Sequence, residues 1–339
     1  MATYRAIKGI TIPTVSSDNS TIQLGDIWYN STLGKLRVGK TQAAAWATGP
    51  NIVNRRYFMM GAGDKTAGLG FGGYFVPTVR GYTENFDGTS WSEEPDMNTA
   101  RQRGAGFGTN TAAVACCGQT PPFTNATEDW NGASWTTGNT SPTPTSVSAN
   151  VGASGTQTAG LLEGGGHAPA NTNITGEYDG TNWTDGGDLN LTRGGCTGTG
   201  TQTASLAMGG NYTPPPGVAM TADVEEYNGT AWTEVADMTV TRGIAGGGGG
   251  TTGAITFGGE AAPSPAGVKT SDVYDGSSWA AGADLPGVVN RIGGASFTVG
   301  NTLGYGGYRY LGSPSPADVM QESWEYSDAS TVGGSVTTS

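Results

Sequence analysis

Apolar residues in this chain come in short runs, and glycine closes most of them. "LGFGG" (69–73), "LLEGGG" (161–166), "SLAMGG" (205–210), "AITFGG" (254–259) and "TLGYGG" (302–307) are five such runs, with "AVACCG" (113–118) as a variant. Few segments have helical periodicity, and glycine is scattered through nearly all of them. Short apolar runs bounded by turn residues predict strands, and many of them predict an all-β domain.

A second phrase recurs between these runs: "FDGTSW" (86–91), "WNGASW" (130–135), "EYDGTNW" (177–183), "YNGTAW" (227–232) and "YDGSSW" (274–279). An Asp-Gly or Asn-Gly pair between aromatic strand ends is the strongest short-range hairpin signal, with both residues at the φ > 0 positions of a two-residue turn. The tryptophans Trp91, Trp135, Trp183, Trp232 and Trp279 recur about every 45–50 residues, a period belonging mostly to β-propellers. Trp46 stands one period earlier.

Arg56, Arg101, Arg193 and Arg242 follow at a fixed distance from most of the tryptophans. Arg291 comes two places late, and the repeat at Trp135 lacks the arginine. Next come a Gly-rich apolar strand, the strand ending in the Gly doublet, a Pro-rich loop, and a third strand carrying Phe86, Trp130, Tyr178, Tyr227, Tyr274 or Tyr326.

Arginine, apolar-Gly-Gly, aromatic-Asp-Gly and tryptophan in this order resemble the kelch repeat, over roughly residues 53–330. The resemblance implies a six-bladed kelch-like β-propeller of four-stranded blades. Six first-to-third-strand sets follow residue 53, but only five fourth strands with Trp follow them. The N-terminal strand around Trp46 is therefore expected to complete the last blade, in a domain spanning 43–339. Stacked blades bury faces that one small sheet could not bury alone.

Asp96, Asp188, Asp237 and Asp284 each stand a fixed distance after a tryptophan, followed by Met or Leu. With the arginines they read either as a charged funnel at one mouth of the axis or as a repeated ion pair that fixes blade register. Recurrence in most repeats favours the ion pair.

Residues 1–42 do not fit the period and read as a separate segment with a β-hairpin. Its string "GDIWYNSTLGKLRV" resembles a short module of phage tail-fibre and other virion proteins. Read by residue type alone it is equally a plain hairpin with an Asn-rich turn. The Gly/Thr/Asn/Ser-rich texture of the repeats also resembles tail-associated proteins of marine phages. These resemblances imply a virion protein, a tail fibre or tail-associated adhesin that attaches to a host-surface glycan or protein. They also imply other virion proteins as partners and a homo-oligomer in the particle. The alternative is a purely structural tail or capsid subunit.

Composition narrows the remaining classes. The chain has 28 acidic and 16 basic residues, net charge −12, and no Lys/Arg cluster larger than Arg55-Arg56, so no nucleic-acid partner is expected. No secretory signal and no long apolar run is present, which predicts synthesis in the host cytoplasm and no membrane insertion. Cys116, Cys117 and Cys196 are expected as buried free thiols. Galactose-oxidase-like relatives of the kelch fold hold copper with two histidines and tyrosines, but this chain has one histidine, His167. The sialidase Asp-box form is also unmatched. No enzyme activity, cofactor or metal is expected.

Binding is expected on the loops between the second and third strands, which differ between repeats and carry aromatics and prolines. Tyr74, Phe75, Phe123, His167, Tyr212, Tyr308, Arg309 and Tyr310 are the candidates. The aromatic members are expected to be largely exposed on one face, opposite the Asp-Gly turns. The competing reading is that proline only stiffens these loops.

Overall fold

The computed structural model describes residues 12–18, 21–144, 149–167, 170–213, 219–261, 267–296, 298–309 and 318–335. The chain divides into two compact units, 1–45 with 328–339, and 46–327.

In the first unit β1 (Thr14–Val15) pairs in parallel with β2 (Ile27–Asn30), and β2 pairs antiparallel with β3 (Lys35–Gln42). Asp18 organises this hairpin. Its carboxylate accepts Asn30 Nδ2 at 2.8 Å, Arg37 Nη2 at 2.6 Å and Trp28 Nε1 at 3.0 Å. These bonds, Asn30 foremost, hold the Asp18 carboxyl down at about 2. Trp28 and Asn30 therefore face inward along β2, while Ile27 and Tyr29 alternate outward. The strand Ser330–Ser335 runs antiparallel along β3. Ser330–Ser335, expected with the repeats, thus joins the N-terminal unit, because its backbone bonds extend that unit's sheet.

The second unit is all-β, built of four-stranded antiparallel sheets, with no α-helix among the described residues. In the first repeat the order is β5 (Met60–Asp64), β6 (Ala67–Phe71), β9 (Thr83–Phe86) and β10 (Trp91–Glu94). A small hairpin of β7 (Tyr74–Phe75) and β8 (Thr78–Val79) sits in the loop between β6 and β9. Four further sheets follow the same order. In the last sheet β4 (Ala45–Thr48) lies beside Ser323–Ser327. Each innermost strand touches the innermost strand of the next sheet, and Gly293–Ala295 touches β5. This arrangement is consistent with a β-propeller.

Glycine makes the inner approach possible. A Cβ on Gly106 would stand 2.7 Å from the backbone of Gly61 in the neighbouring sheet. Further out, aromatic pairs fill the gaps. Trp91 stacks on Phe86 at 5.1 Å and also meets Tyr305 of another sheet at 5.1 Å. Trp135 meets Trp130 in its own sheet and Phe71 in the previous one. Trp46 meets Tyr326 and Phe257 in the same way.

The Asp-Gly phrases all join third to fourth strands, but not as two-residue turns. Trp91 pairs with Phe86, so four residues form the connection. Only Gly88 has positive φ, at 91°. Asp87 instead ties the loop through its side chain. Its Oδ1 accepts the N–H groups of Thr89 and Ser90, both at 2.8 Å. Asp179 and Asp275 do the same.

The repeated arginines form buried ion pairs, but not with the aspartates after the tryptophans. Arg56, Arg101, Arg193 and Arg242 pair with Glu84, Glu128, Glu225 and Asp272, and every partner is essentially inaccessible. The glutamates also accept backbone N–H groups of the incoming loop: Val53 and Asn54 on Glu84, Asn98 and Thr99 on Glu128, Asn190 and Leu191 on Glu225. One carboxylate thus ties third strand, arginine and inter-sheet connection together. Asp96, Asp188, Asp237 and Asp284 are exposed, and Asp284 pairs with Lys269. The residue after each, Met97, Leu189, Met238 or Leu285, is the buried one.

Cys116, Cys117 and Cys196 are buried and free. Burial pushes the Cys196 thiol up to about 12.

Candidate binding site

Each repeat turns into its innermost strand through one residue of left-handed backbone. Phe58, Arg103, Asn150, Ile244 and Arg291 have φ between 50° and 59°, and Gly195 has 66°. Non-glycine residues enter this region only when their surroundings over-determine them. Here backbone bonds do so. The N–H of Phe58 donates to Arg291 O, Arg103 to Phe58 O, Asn150 to Arg103 O, Gly195 to Asn150 O, and Ile244 to Gly195 O, at 2.7–3.1 Å. These residues line one depression of about 100 Å³.

This geometry corrects the register of Arg291. It does not stand two places late as a repeat arginine. It occupies the left-handed position two residues after, where Phe58 follows Arg56 and Arg103 follows Arg101. Val289 holds the repeat-arginine place.

Arg103 lies 4.0 Å above the Phe58 ring, and Arg291 lies 4.9 Å from the same ring. Arg291 Nε donates to Glu260 Oε1 at 2.7 Å. Burial, with repulsion from Arg291, lowers the Arg103 guanidinium to about 10, so it stays charged at neutral pH.

Tyr57 joins this depression to the loops. Its ring lies 5.5 Å from Tyr74 and 5.0 Å from Tyr308. Burial raises its phenol above the ordinary value. The structure thus brings Tyr74 and Tyr308 together. Arg309 sits beside Tyr308 and reaches Glu322 at 3.6 Å. Phe75 stands apart, beneath Arg55 at 5.0 Å. Phe123 and Tyr212 lie on other repeats, and among the described residues no ring contact joins them to the others. His167 ends the short strand Gly166–His167, its side chain outside the described part. Tyr310 lies outside the described residues.

Tyr74, Phe75, Phe123, Tyr212 and Tyr308 are half-buried rather than largely exposed. The loops pair at their bases with the incoming connection, as Tyr57 with Tyr74 and Asn290 with Tyr308, and this draws the aromatic bodies inward.

A second cleft, of about 370 Å³, opens in the first repeat and is lined by Asn54, Arg55, Phe75, Arg80, Tyr82 and Gln321. Arg80 lies 5.6 Å from the Tyr82 ring. Of these residues only Phe75 was a sequence candidate. Arg55-Arg56 was visible as the largest basic pair. What was missed is that Arg56 is consumed by a buried carboxylate and that Arg55 meets none among the described residues.

No protein-family model and no curated protein matches this chain. Among the described residues no group of three or more His, Cys, Asp or Glu side chains is placed to hold a metal ion, and no helix is long and apolar enough to cross a membrane.

Proposed function

We propose that this chain is a phage virion protein, a tail fibre or tail-associated adhesin, that uses a six-bladed kelch-like propeller to attach to a host-surface glycan or protein. In this reading the strand around Trp46 closes the ring, the protein is not an enzyme, and the N-terminal unit joins other virion proteins or further copies of the chain.

One observation carries the binding role. The repeated charges satisfy one another inside the sheets, whereas the loop face of the first repeat holds arginines that meet no carboxylate among the described residues, set beside aromatic rings. Unspent polar and aromatic groups in a concave site on a regular scaffold are what recognition requires.

The closure rests on the place of β4 beside Ser323–Ser327 and on Trp46 repeating the contacts of Trp91 and Trp135. The virion reading rests on the string "GDIWYNSTLGKLRV" and on the compact unit around it. Leu24, Ile27, Tyr29 and Leu33 are large apolar residues exposed in that unit, which suits burial against another virion protein. The same observation supports the structural alternative, in which both units only contact virion components.

Immunogold labelling of intact particles, together with adsorption of the purified chain to host cells, tests the reading. Distal label and saturable adsorption are expected. Label appearing only after the particle is disrupted, without adsorption, moves the assignment to the structural subunit.

A further inference from the structure

Positive charge is scarce in this chain, and among the described residues most of the arginines spend theirs on a carboxylate. Arg37, Arg56, Arg101, Arg193, Arg242, Arg291 and Arg309 each meet a carboxylate. Arg55, Arg80 and Arg103 meet none among the described residues. Arg103 is accounted for by its stacking on Phe58 and by the nearby Glu260 charge. Among the described arginines that leaves Arg55 and Arg80, and both line the same cleft.

Their setting is that of a receptor for an anion. Arg55 Cζ lies 5.0 Å from the Phe75 ring centroid and Arg80 Cζ 5.6 Å from that of Tyr82, so each guanidinium has an aromatic neighbour. A guanidinium that meets a ring and no internal carboxylate keeps N–H groups available for bidentate bonding to a carboxylate. Arg80 Nε is buried and has no acceptor. Two acids bound to Asn54 of the cleft lining are already engaged: Glu84 by Arg56 and two backbone N–H groups, and Glu93 by Asn54 Nδ2 at 2.7 Å. A volume of about 370 Å³ accepts one sugar ring with its substituents.

We propose that the Arg55/Arg80 cleft binds the carboxylate of an acidic sugar residue, one unit of a uronic-acid-type polysaccharide. This rests on the attachment reading and narrows it to an anionic glycan. In a protein of net charge −12, long-range repulsion opposes such a ligand, so contact in this one cleft has to supply the selectivity.

Calorimetric titration of the full chain with trigalacturonate tests this, with the neutral galactose trimer, inorganic phosphate and a tri-glutamate peptide as the other probes. Trigalacturonate should bind best and more weakly as salt rises. Arg55→Gln and Arg80→Gln should each weaken it at least tenfold with Tm unchanged, since neither side chain has an internal carboxylate to leave unpaired. Equal binding of the neutral trimer, or full binding by both variants, overturns the proposal. So does phosphate or the peptide binding as well as the sugar. If the parent binds no probe yet adsorbs to host cells, the anionic-sugar site is wrong and attachment stands. If it also fails to adsorb, both fall.

Discussion

The Trp46 ring lies 5.2 Å from the Tyr326 ring, a contact between opposite ends of the second unit's chain. Five other tryptophans make the equivalent contact with the aromatic of the strand just before them, as Trp232 does with Tyr227 at 5.0 Å. Gly49 N–H donates to Ser323 O, and Ile52 N–H to Gln321 O, continuing the pairing. If this contact closes a ring, its loss weakens the whole unit. Trp46→Ala should cost about 2 kcal/mol, somewhat below a fully buried Trp because the ring is half-exposed. Deleting residues 1–50 should lower the melting temperature of the entire repeat unit. An unchanged cooperative melt of the truncated chain would count against closure.

Arg193 is fully buried, and its Nη2 lies 2.9 Å from Glu225 Oε1. Removing one partner strands a charge, whereas removing both does not. Arg193→Met should therefore cost about 3–5 kcal/mol in urea unfolding, and Arg193→Met with Glu225→Gln should recover part of that loss. Additive losses would mean that the pair is not coupled.

Gly180 has φ 91° in the connection between Tyr178 and Trp183. Gly180→Val should cost about 1–2 kcal/mol by forcing a β-branched residue into left-handed backbone. Trigalacturonate affinity should stay at the parent value. A loss of affinity at intact stability would place the turn in the binding site.

Glu163 stands where the other repeats carry Phe71, Met208, Phe257 or Tyr305, and neither carboxylate oxygen has a hydrogen-bond partner. Burial raises its pKa well above 4.5, with Arg193 opposing only in part. The folded chain therefore holds this proton to higher pH than the unfolded chain does. Stability contributed by the protonated form is present in full below about 4.5 and falls as pH rises toward the folded value. Glu163→Gln should remove that slope. Glu163→Met, copying Met208, should add about 1–3 kcal/mol at pH 7. A parent stability flat between pH 4.5 and 8 would refute the assignment.

Much of the fold was legible because it repeats. The Gly-doublet strands and the Asp-Gly hairpins each stand at one place in the period, so local chemistry and register agree. One further pairing was legible but unread. An acid stands two residues before the third-strand aromatic in the four repeats that carry the arginine. Gly176 and Trp324 replace it in the two repeats that do not. The site was less legible, because it lies in the departures from the period.

By itself, then, the sequence determined the all-β class, the strand order within each repeat and the hairpin positions. These depend on alternation, turn chemistry and spacing, which are local. Only the tertiary structure decided which arginines are consumed and which remain available. Arg55 and Arg56 are neighbours of the same type, yet opposite faces of the backbone send Arg56 to Glu84 and leave Arg55 over Phe75. It also decided that Arg291 belongs beside Phe58 and that the strand Ser330–Ser335 belongs with the N-terminal sheet. Each outcome depends on partners far apart in the chain, and no local pattern records the desolvation and hydrogen bonding that select them.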